Sequence, residues 1–496
     1  MVKGRWFLQR EDGIIFTYTA FAAIAALLYV FCLSVFVQSY GSMTVPSYVT
    51  LLAVILAVYL LAGLKTHMNI IYELKRDTFI FIMLVLTMAL RLVWVLTVNT
   101  DVFSDFYLYH AYALKAAKGV FNNYDPTYSL FPFKFGYPLV LSLVYRISGG
   151  SILAAKLFNV FISMCLMPVV YHLALKAFDG NAARTSVMLY AFWPSQIMYT
   201  SVLGSELLFT LLFCISAAFF MESLVHTGMK SYLYFSAFGA AAAFSGFIRP
   251  VAVILILAAT IYLLFLHTHE SFHPSIPQRL ASKFGMPAAA ILGFLVVSIL
   301  QNQIQYNLTG VSPWRSSSGF NLMVGTNRES SGKYSTADEQ LVEGYKNDFA
   351  RFHQVSWKIA IERIKSDPLG FVRLIEEKMV VQWTNEDYGY YWSTLKLEKV
   401  NGASSFLLGN PKKIQYISFL YYVVLVSLAL SGCIHIYRNR LLPPAIFLLV
   451  LEGFLVAHVF LEVQSRYHYP VMPFIIILAG CGLNRVSYLL SVKPAV

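Results

Sequence analysis

Twelve stretches of this chain are apolar over close to the length that crosses a lipid bilayer, and that pattern restricts the fold more than any other feature. They fall at about 15–37, 49–65, 78–98, 151–176, 184–201, 205–224, 232–247, 250–267, 286–304, 415–437, 442–462 and 466–490. About 20 apolar residues span the hydrocarbon core. Each backbone amide there must be satisfied without water, so a spanning segment that is not part of a closed barrel is a helix. With 58% of the 496 residues hydrophobic and 12% charged, the expected fold is an all-α polytopic membrane protein with about 12 transmembrane helices. Near the start, "MVKGRWFLQREDG" precedes the first apolar run without a small-residue cleavage site, which predicts an uncleaved first span. The five cysteines all lie inside apolar runs, so neither a disulfide framework nor a CxxC metal knuckle is indicated.

The formal net charge of +12 raises the question of a nucleic-acid partner, and the distribution of charge answers it. With a cytoplasmic N-terminus, the inside segments collect most of the loop cations, among them Lys3, Arg10, Lys75, Arg184, Arg279, Lys283, Arg438, Arg485 and Lys493, while the short outside loops hold only Arg249 and Arg466. This is the positive-inside asymmetry, and it accounts for the basic balance without an anionic polymer. One apolar stretch, "GYPLVLSLVYRIS" at 136–148, is short for a crossing and is read as a juxtamembrane helix. Counting it as a span would put "YRNR" and "PQRLASK" outside, against the charge rule. The loop before it and the polar segment 305–412 then both lie outside the cytoplasm. The latter is nearly balanced in charge, opens on a Gly- and Ser-rich loop, and predicts two helical stretches on either side of Asp367-Pro368.

"SDFYLYHAYALKAAKG", 104–119, predicts an amphipathic helix over 105–118 with Ser104 as N-cap, Gly119 as stop, and Lys115 and Lys118 in the last turn. Asp105 stands in the first turn, with Tyr109 and Tyr112 following on the same face. An acid framed by aromatic rings at a membrane lip can hold a sugar and accept a proton from a hydroxyl. Equally, Asp105 can favour the helix start while the tyrosines form an interfacial belt. Arg249 in "IRP" and Arg466 in "SRYHYP", with Tyr467 beside it, run against the positive-inside bias. Each is a candidate phosphate clamp, because guanidinium pairs bidentately with phosphate; an interfacial anchor is the alternative. Glu206 falls at the outer end of a span, where an ionisable group is costly unless it faces a cavity. Lys378 is a weaker phosphate candidate, since a solvated helix face also explains it, and Asp101 is an alternative base. Arg91 and Glu452, deep in their spans, are expected to pair with one another. No His or acid cluster has metal spacing, and no phosphate-cradling glycine loop or nucleic-acid module is visible.

In order along the chain, "RLVWVLTVNTDVFSDFYLYHAYALKAAKGV", "FGYPLVLSLVYRISGGSILAAKLFNVFIS", "AFWPSQIMYTSVLGSELLFTLLF", "GFIRPVA" and "LEVQSRYHYPVMPFIIILAG" resemble successive motifs of GT-C glycosyltransferases. The nearest resemblance is to the bacterial branch related to glycosyltransferase family 39, which includes protein mannosyltransferases and the lipid A aminoarabinose transferase. The resemblance covers about 80–490. It implies the GT-C fold, with two juxtamembrane helices in the first catalytic outer loop and a mostly helical extracytoplasmic insert. It divides the chain into a two-helix extension (1–77), a GT-C module (78–304, with its outer loop at 99–150), the insert (305–412) and a three-helix C-terminal segment (413–496).

The function it implies is inverting transfer of a sugar from a polyprenyl-phosphate donor to a glycan, lipid or protein acceptor on the outer face of the plasma membrane. Asp105 matches the family's acid and Glu206 another acidic position. The catalytic candidates are therefore Asp105, Glu206 and Asp101; the donor- or phosphate-binding candidates are Arg249, Arg466, Lys378, Tyr109, Tyr112 and Tyr467. No metal ligand is assigned and no cofactor is required, although some relatives bind divalent ions. A lipid-linked-saccharide flippase, or a GT-C-related polymerase or ligase, is the alternative.

Overall fold

The computed structural model describes residues 13–36, 47–121, 127–266, 284–312, 314 and 318–491. Lys3, Arg10, Arg279, Lys283 and Lys493, used in the charge reading above, lie outside them. The described chain is helical almost throughout. Among the described residues, nine helices are long and apolar enough to cross a membrane: Gly13–Phe36, Ser47–His67, Arg76–Thr97, Ile152–Ala177, Glu206–Val225, Met229–Ile248, Met286–Thr309, Pro411–Asn439 and the stretch Ser465–Ser491. Pro250–Leu266 and Ala445–Phe460 are apolar but shorter. Many large apolar side chains on these helices are exposed, for example Leu52, Ile55 and Leu56, as lipid-facing surfaces require.

The segment expected as one helix over 184–201 is instead two, Gly180–Ala191 and Pro194–Tyr199. Pro194 has no N–H to donate and disfavours helical backbone at the residue before it, and Trp193 is accordingly extended. Arg91 deals with the break. Its guanidinium donates to the carbonyls of Tyr190 and Ala191 at 3.2 and 2.9 Å, satisfying acceptors that a helix end leaves open. The expected ion pair of Arg91 with Glu452 is therefore not formed: carbonyl dipoles, not a carboxylate, are its partners.

Small residues set the closest helix packing. A Cβ at Gly239 would stand 1.8 Å from the Ala290 carbonyl oxygen, and one at Gly482 1.9 Å from that of Leu428. These contacts join Met229–Ile248 to Met286–Thr309, and Pro411–Asn439 to Met472–Ser491. The Ser47–His67 helix is only 17% buried over its apolar window, so it sits at the periphery, against Met472–Ser491.

The helices Ser104–Ala117 and Gly136–Ser148 pack on each other. The first begins one residue earlier than expected. Its N-cap position is Phe103, and Ser104 has φ +55° with no side-chain cap, so the expected Ser104 cap does not form. In the polar insert, Phe349–Ser366 and Pro368–Trp383 form on either side of Asp367, which accepts from Gly370 N. The first predicted stretch is interrupted: Thr336–Val342 ends, and Asp348 starts a new helix by accepting from Arg351 N. A small core around Phe320, Met323, Val342 and Phe352 holds this unit together. A two-stranded antiparallel sheet, Asn99–Thr100 with Leu397–Lys399, ties it to the first loop.

Candidate active site

The two outer elements and the insert close over the ends of the helices Glu206–Val225, Met229–Ile248 and Ala445–Phe460, leaving a cavity of about 1140 Å³. Asp105, Tyr109, Glu206, Arg249, Arg466 and Tyr467 all line it, although up to 362 positions separate them in sequence. All but Tyr109, which lies one turn further along Ser104–Ala117, are delivered by a helix end. Asp105 is in the first turn of Ser104–Ala117, Glu206 is the first residue of its helix, and Arg249 is the residue at which Met229–Ile248 stops. Arg466 and Tyr467 lie on the 3₁₀ turn Ser465–Val471 that opens the last helix.

Glu206 organises the arginines. Its Oε1 accepts from Arg249 Nη2 at 2.6 Å and lies 3.4 Å from Arg466 Nε. Arg249 Nε also donates to Ser205 Oγ at 2.9 Å. Glu206 is 1% exposed, and a buried carboxylate is tolerated only when paired. A Cβ at Gly204 would meet Glu206 Oε2 at 2.5 Å and the Tyr199 hydroxyl at 2.6 Å, so glycine is needed there for the carboxylate to fold back. Arg466 is 5% exposed and lies between aromatic faces, 4.7 Å from Trp392 and 5.2 Å from Phe106, which favours a cation. Its Nη1 has no hydrogen-bond partner among the described residues. A buried guanidinium with an unused donor beside a cavity has the chemistry to take an anion.

Asp105 faces a cation that the sequence reading missed. Lys134 Nζ lies 3.3 Å from its Oδ1. Burial works to raise the Asp105 carboxyl, but the charges of Lys134, Arg466 and Arg249 outweigh it and hold the group below the usual carboxylate range. Glu462 was also missed. Its Oε1 accepts from Gln464 at 2.8 Å and from Tyr467 at 3.1 Å, and burial pushes its carboxyl up despite those bonds. Lys134 sits in "FPFKFGYP" and Glu462 in "LEVQSRYHYP". The only signal either gave was a charge inside an aromatic or apolar stretch.

The cavity has two characters. Val253, Ile254, Phe454 and Ala457 form an apolar wall among the helices, while Tyr334, Glu339, Lys346 and Phe352 form the wall contributed by the insert. Behind the site, Glu386 is 1% exposed; it accepts from Trp193 Nε1 and Tyr388 Oη, both at 3.1 Å, and lies 3.2 Å from His468 Nε2. This buried carboxylate fastens the insert to the broken helix and to the Arg466 turn.

Three sequence candidates stand elsewhere. Asp101 pairs with Lys396 at 2.8 Å and accepts from Val102 N, which makes it part of the link between loop and insert. Tyr112 packs on Tyr128 and Phe135 and donates to the Phe121 carbonyl. Lys378 is 1% exposed, not solvated; its amine donates to the Gly325 and Val459 carbonyls at 2.7 and 2.8 Å. Tyr109, by contrast, lines the cavity and meets Tyr137 edge-on at 5.4 Å. Among the described residues no group of three His, Cys, Asp or Glu is arranged to hold a metal ion.

A multi-pass helical bundle with a charged cavity at its helix ends, covered by juxtamembrane helices and a helical insert, is the architecture expected of the GT-C class of membrane protein. Residues 134–294 match the model of the dolichyl-phosphate-mannose-protein mannosyltransferase family. The fold is similar to that of the Archaeoglobus fulgidus oligosaccharyltransferase solved with Zn and sulfate, at TM-score 0.50 and 13% identity over 83% of this chain and 49% of that one. The Archaeoglobus fulgidus AglB structure with an inhibitory peptide and a dolichol-phosphate matches at TM-score 0.48 and 12% identity, over 83% and 50%. The chain thus spans about half the length of these solved structures. No curated protein matches. The recognition as a GT-C protein holds; the match does not reach the finer bacterial family-39 branch.

Proposed function

We propose that this protein is a membrane glycosyltransferase that moves a sugar from a polyprenyl-phosphate donor to an acceptor hydroxyl on the outer face of the membrane, with inversion at the anomeric carbon. The observation that carries it is the unused Arg466 donor and the Arg249 guanidinium facing the same cavity as the Asp105 carboxylate. Arg466, Arg249 and Lys134 hold the donor phosphate, and the apolar wall at Val253, Ile254 and Phe454 receives the first isoprene units. The acceptor enters along the wall built by the insert. Asp105 takes the hydroxyl proton as the acceptor oxygen bonds to the anomeric carbon. The bond from that carbon to the phosphate oxygen breaks, and its electron pair leaves on the phosphate, where the cations stabilise it. A carboxylate held low is a weak base, so proton transfer runs late, after most of the sugar–phosphate bond has broken. The cations supply the charge stabilisation, so no metal is required by this scheme, and a divalent ion remains compatible with it.

Mass spectrometry of envelope glycans and lipid-linked sugars, with and without the protein, tests the reading. Loss of one glycan substituent with accumulation of its polyprenyl-phosphate sugar is expected. Unchanged profiles on both sides would refute it.

A further inference from the structure

A second cavity, of about 270 Å³, lies between the helices Pro411–Asn439 and Met472–Ser491 and is lined by Ser431, Ile434, His435, Arg438, Asn439, Arg485 and Leu489. The two helices are in backbone contact further up, where Gly432 meets Leu478 and Gly482 meets Leu428, and the cavity lies beyond that contact toward their C-terminal ends. Arg485 is separated from Arg466 by nineteen positions, roughly 28 Å at 1.5 Å per residue. That is close to the thickness of the hydrocarbon core, so this cavity belongs to the interface opposite the active-site cavity.

Its chemistry points to one kind of ligand. Arg438 and Arg485 both face it, and neither is in an ion pair with a carboxylate among the described residues. Arg485 lies 5.6 Å from the ring of Tyr488. Asn439 Nδ2 lies 3.0 Å from His435 Nδ1. Accepting there puts the hydrogen of a neutral imidazole on Nε2, which is left as a donor. Ser431 adds a hydroxyl. The cavity therefore offers two guanidinium forks with smaller donors and, among the described residues, no carboxylate in its lining, the nearest acid felt there being Asp179, which acts on His435; this set suits a phosphodiester. Around it the surface is apolar and aromatic: Tyr437, Tyr488, Leu489 and Leu490 are 40–59% exposed, as expected of side chains facing acyl chains and the headgroup layer.

We infer that this cavity binds the headgroup of an anionic phospholipid, with the phosphodiester on Arg438 and Arg485 and the acyl chains along the exposed Leu489 and Ile434 side of the helix pair. Basic pockets between transmembrane helices are suited to this. An annular lipid held there would brace the last helix, whose other end carries Arg466. A free phosphate shares the recognised chemistry but lacks the chains, so it is the competing source.

Native mass spectrometry of the full-length protein released from detergent, titrated with phosphatidylglycerol, phosphatidylcholine or inorganic phosphate, separates the cases. Expected is a retained phosphatidylglycerol, bound at least tenfold tighter than phosphatidylcholine and not displaced by millimolar phosphate. Arg438→Gln and Arg485→Gln should each weaken it about fivefold to tenfold, and Arg485→Lys should lose less than Arg485→Gln. Either glutamine variant that folds, judged by an unchanged monodisperse elution profile, is sufficient. Equal binding of the two lipids, displacement by inorganic phosphate, or glutamine variants that retain phosphatidylglycerol as wild type does would each overturn the assignment.

Discussion

Replacing Asp105 by Asn separates chemistry from architecture at the active-site cavity. The substitution keeps the shape and one carbonyl oxygen but removes the basic oxygen that faces Lys134 at 3.3 Å. Loss of a general base costs about a hundredfold to ten-thousandfold in rate, or roughly 3–5 kcal/mol of barrier at 1.36 kcal/mol per decade. The structural cost is much smaller. The Asp105 side chain is 40% exposed and that of Lys134 20%, so solvent screening keeps the pair below about 1 kcal/mol. Donor affinity should hold or rise, because an anion is removed while Lys134, Arg249 and Arg466 remain. The pH dependence has a defined sign. The folded-state carboxyl is held below its ordinary value, so what its ionisation contributes to stability and to turnover is present above the unfolded value and is lost only as pH falls through the lowered one. The Asp105 contribution to turnover should therefore be flat on the acid side of neutrality. Single-turnover transfer from a purified polyprenyl-phosphate sugar, with donor binding measured in parallel, is the assay. Transfer by well-folded Asp105→Asn within about threefold of wild type, a change too small for general-base loss, would refute Asp105 as the base.

Four further outcomes are expected. Arg249→Ala leaves the buried Glu206 carboxylate with Arg466 as its one remaining arginine partner and should destabilise by about 1.5–3 kcal/mol while weakening donor binding; adding Glu206→Gln should restore thermal stability but not donor binding, and joint recovery of both would remove Arg249 from the donor site. Lys378, whose amine burial drives down to about 7, leaves the unfolded chain binding the extra proton between about pH 7 and 10.5, so stability should rise with pH there; Lys378→Met should abolish that slope and leave donor affinity unchanged, as equilibrium unfolding and donor titration would show. Glu462→Gln fixes the neutral form, so it should bind released lipid phosphate tighter than wild type by a factor that grows with pH and vanishes as pH falls; a pH-independent factor would count against titration of Glu462. A cysteine at the exposed Lys365 should react with an impermeant thiol reagent on intact cells, and labelling only after lysis would reverse the proposed topology. Ser331 is a poorer position for that probe, being half-buried, bonded to Glu377 and at φ +51°.

The helical bundle was legible in the sequence because bilayer length and hydrophobicity act locally, segment by segment. The arginines were legible for a related reason: a cation on the wrong side of a charge bias stands out without any tertiary information. What failed were statements about partners. Arg91 and Glu452 looked like a pair because both are charges in apolar runs, but Pro194 opens a helix and the freed carbonyls of Tyr190 and Ala191 claim the guanidinium. Lys378 looked solvated because "EEKMVVQW" reads as a charged helix face, and only the tertiary packing shows two carbonyls meeting its amine. Lys134 and Glu462 were passed over because nothing local distinguishes a cavity lysine or glutamate from any other. The sheet pairing Asn99–Thr100 with Leu397–Lys399 joins segments nearly 300 residues apart, beyond the reach of any periodicity.

The balance of charge in the cavity bears on which anion it is built for. Lys134, Arg249 and Arg466 stand against Asp105, Glu206 and Glu462, with Lys346 and Glu339 cancelling on the insert wall, so the cavity is balanced when Glu462 is ionised and has one cation in excess when Glu462 is protonated. A sugar linked through a single phosphodiester carries one negative charge, which the cavity neutralises when Glu462 holds a proton. A lipid pyrophosphate donor would bring a second charge and leave the site anionic in either state of Glu462. As the sugar departs, the phosphodiester becomes a phosphate monoester whose charge approaches −2 near neutral pH, so demand for positive charge peaks as the leaving group forms. Glu462, pushed toward its protonated form by burial and hydrogen-bonded to Tyr467 beside Arg466, stands where protonation would meet that demand. In the proposed reaction this balance suits a monophosphate donor better than a pyrophosphate, and it would place the charge stabilisation on the departing phosphate, where a weakly basic Asp105 most needs the reaction to have progressed before it takes the proton.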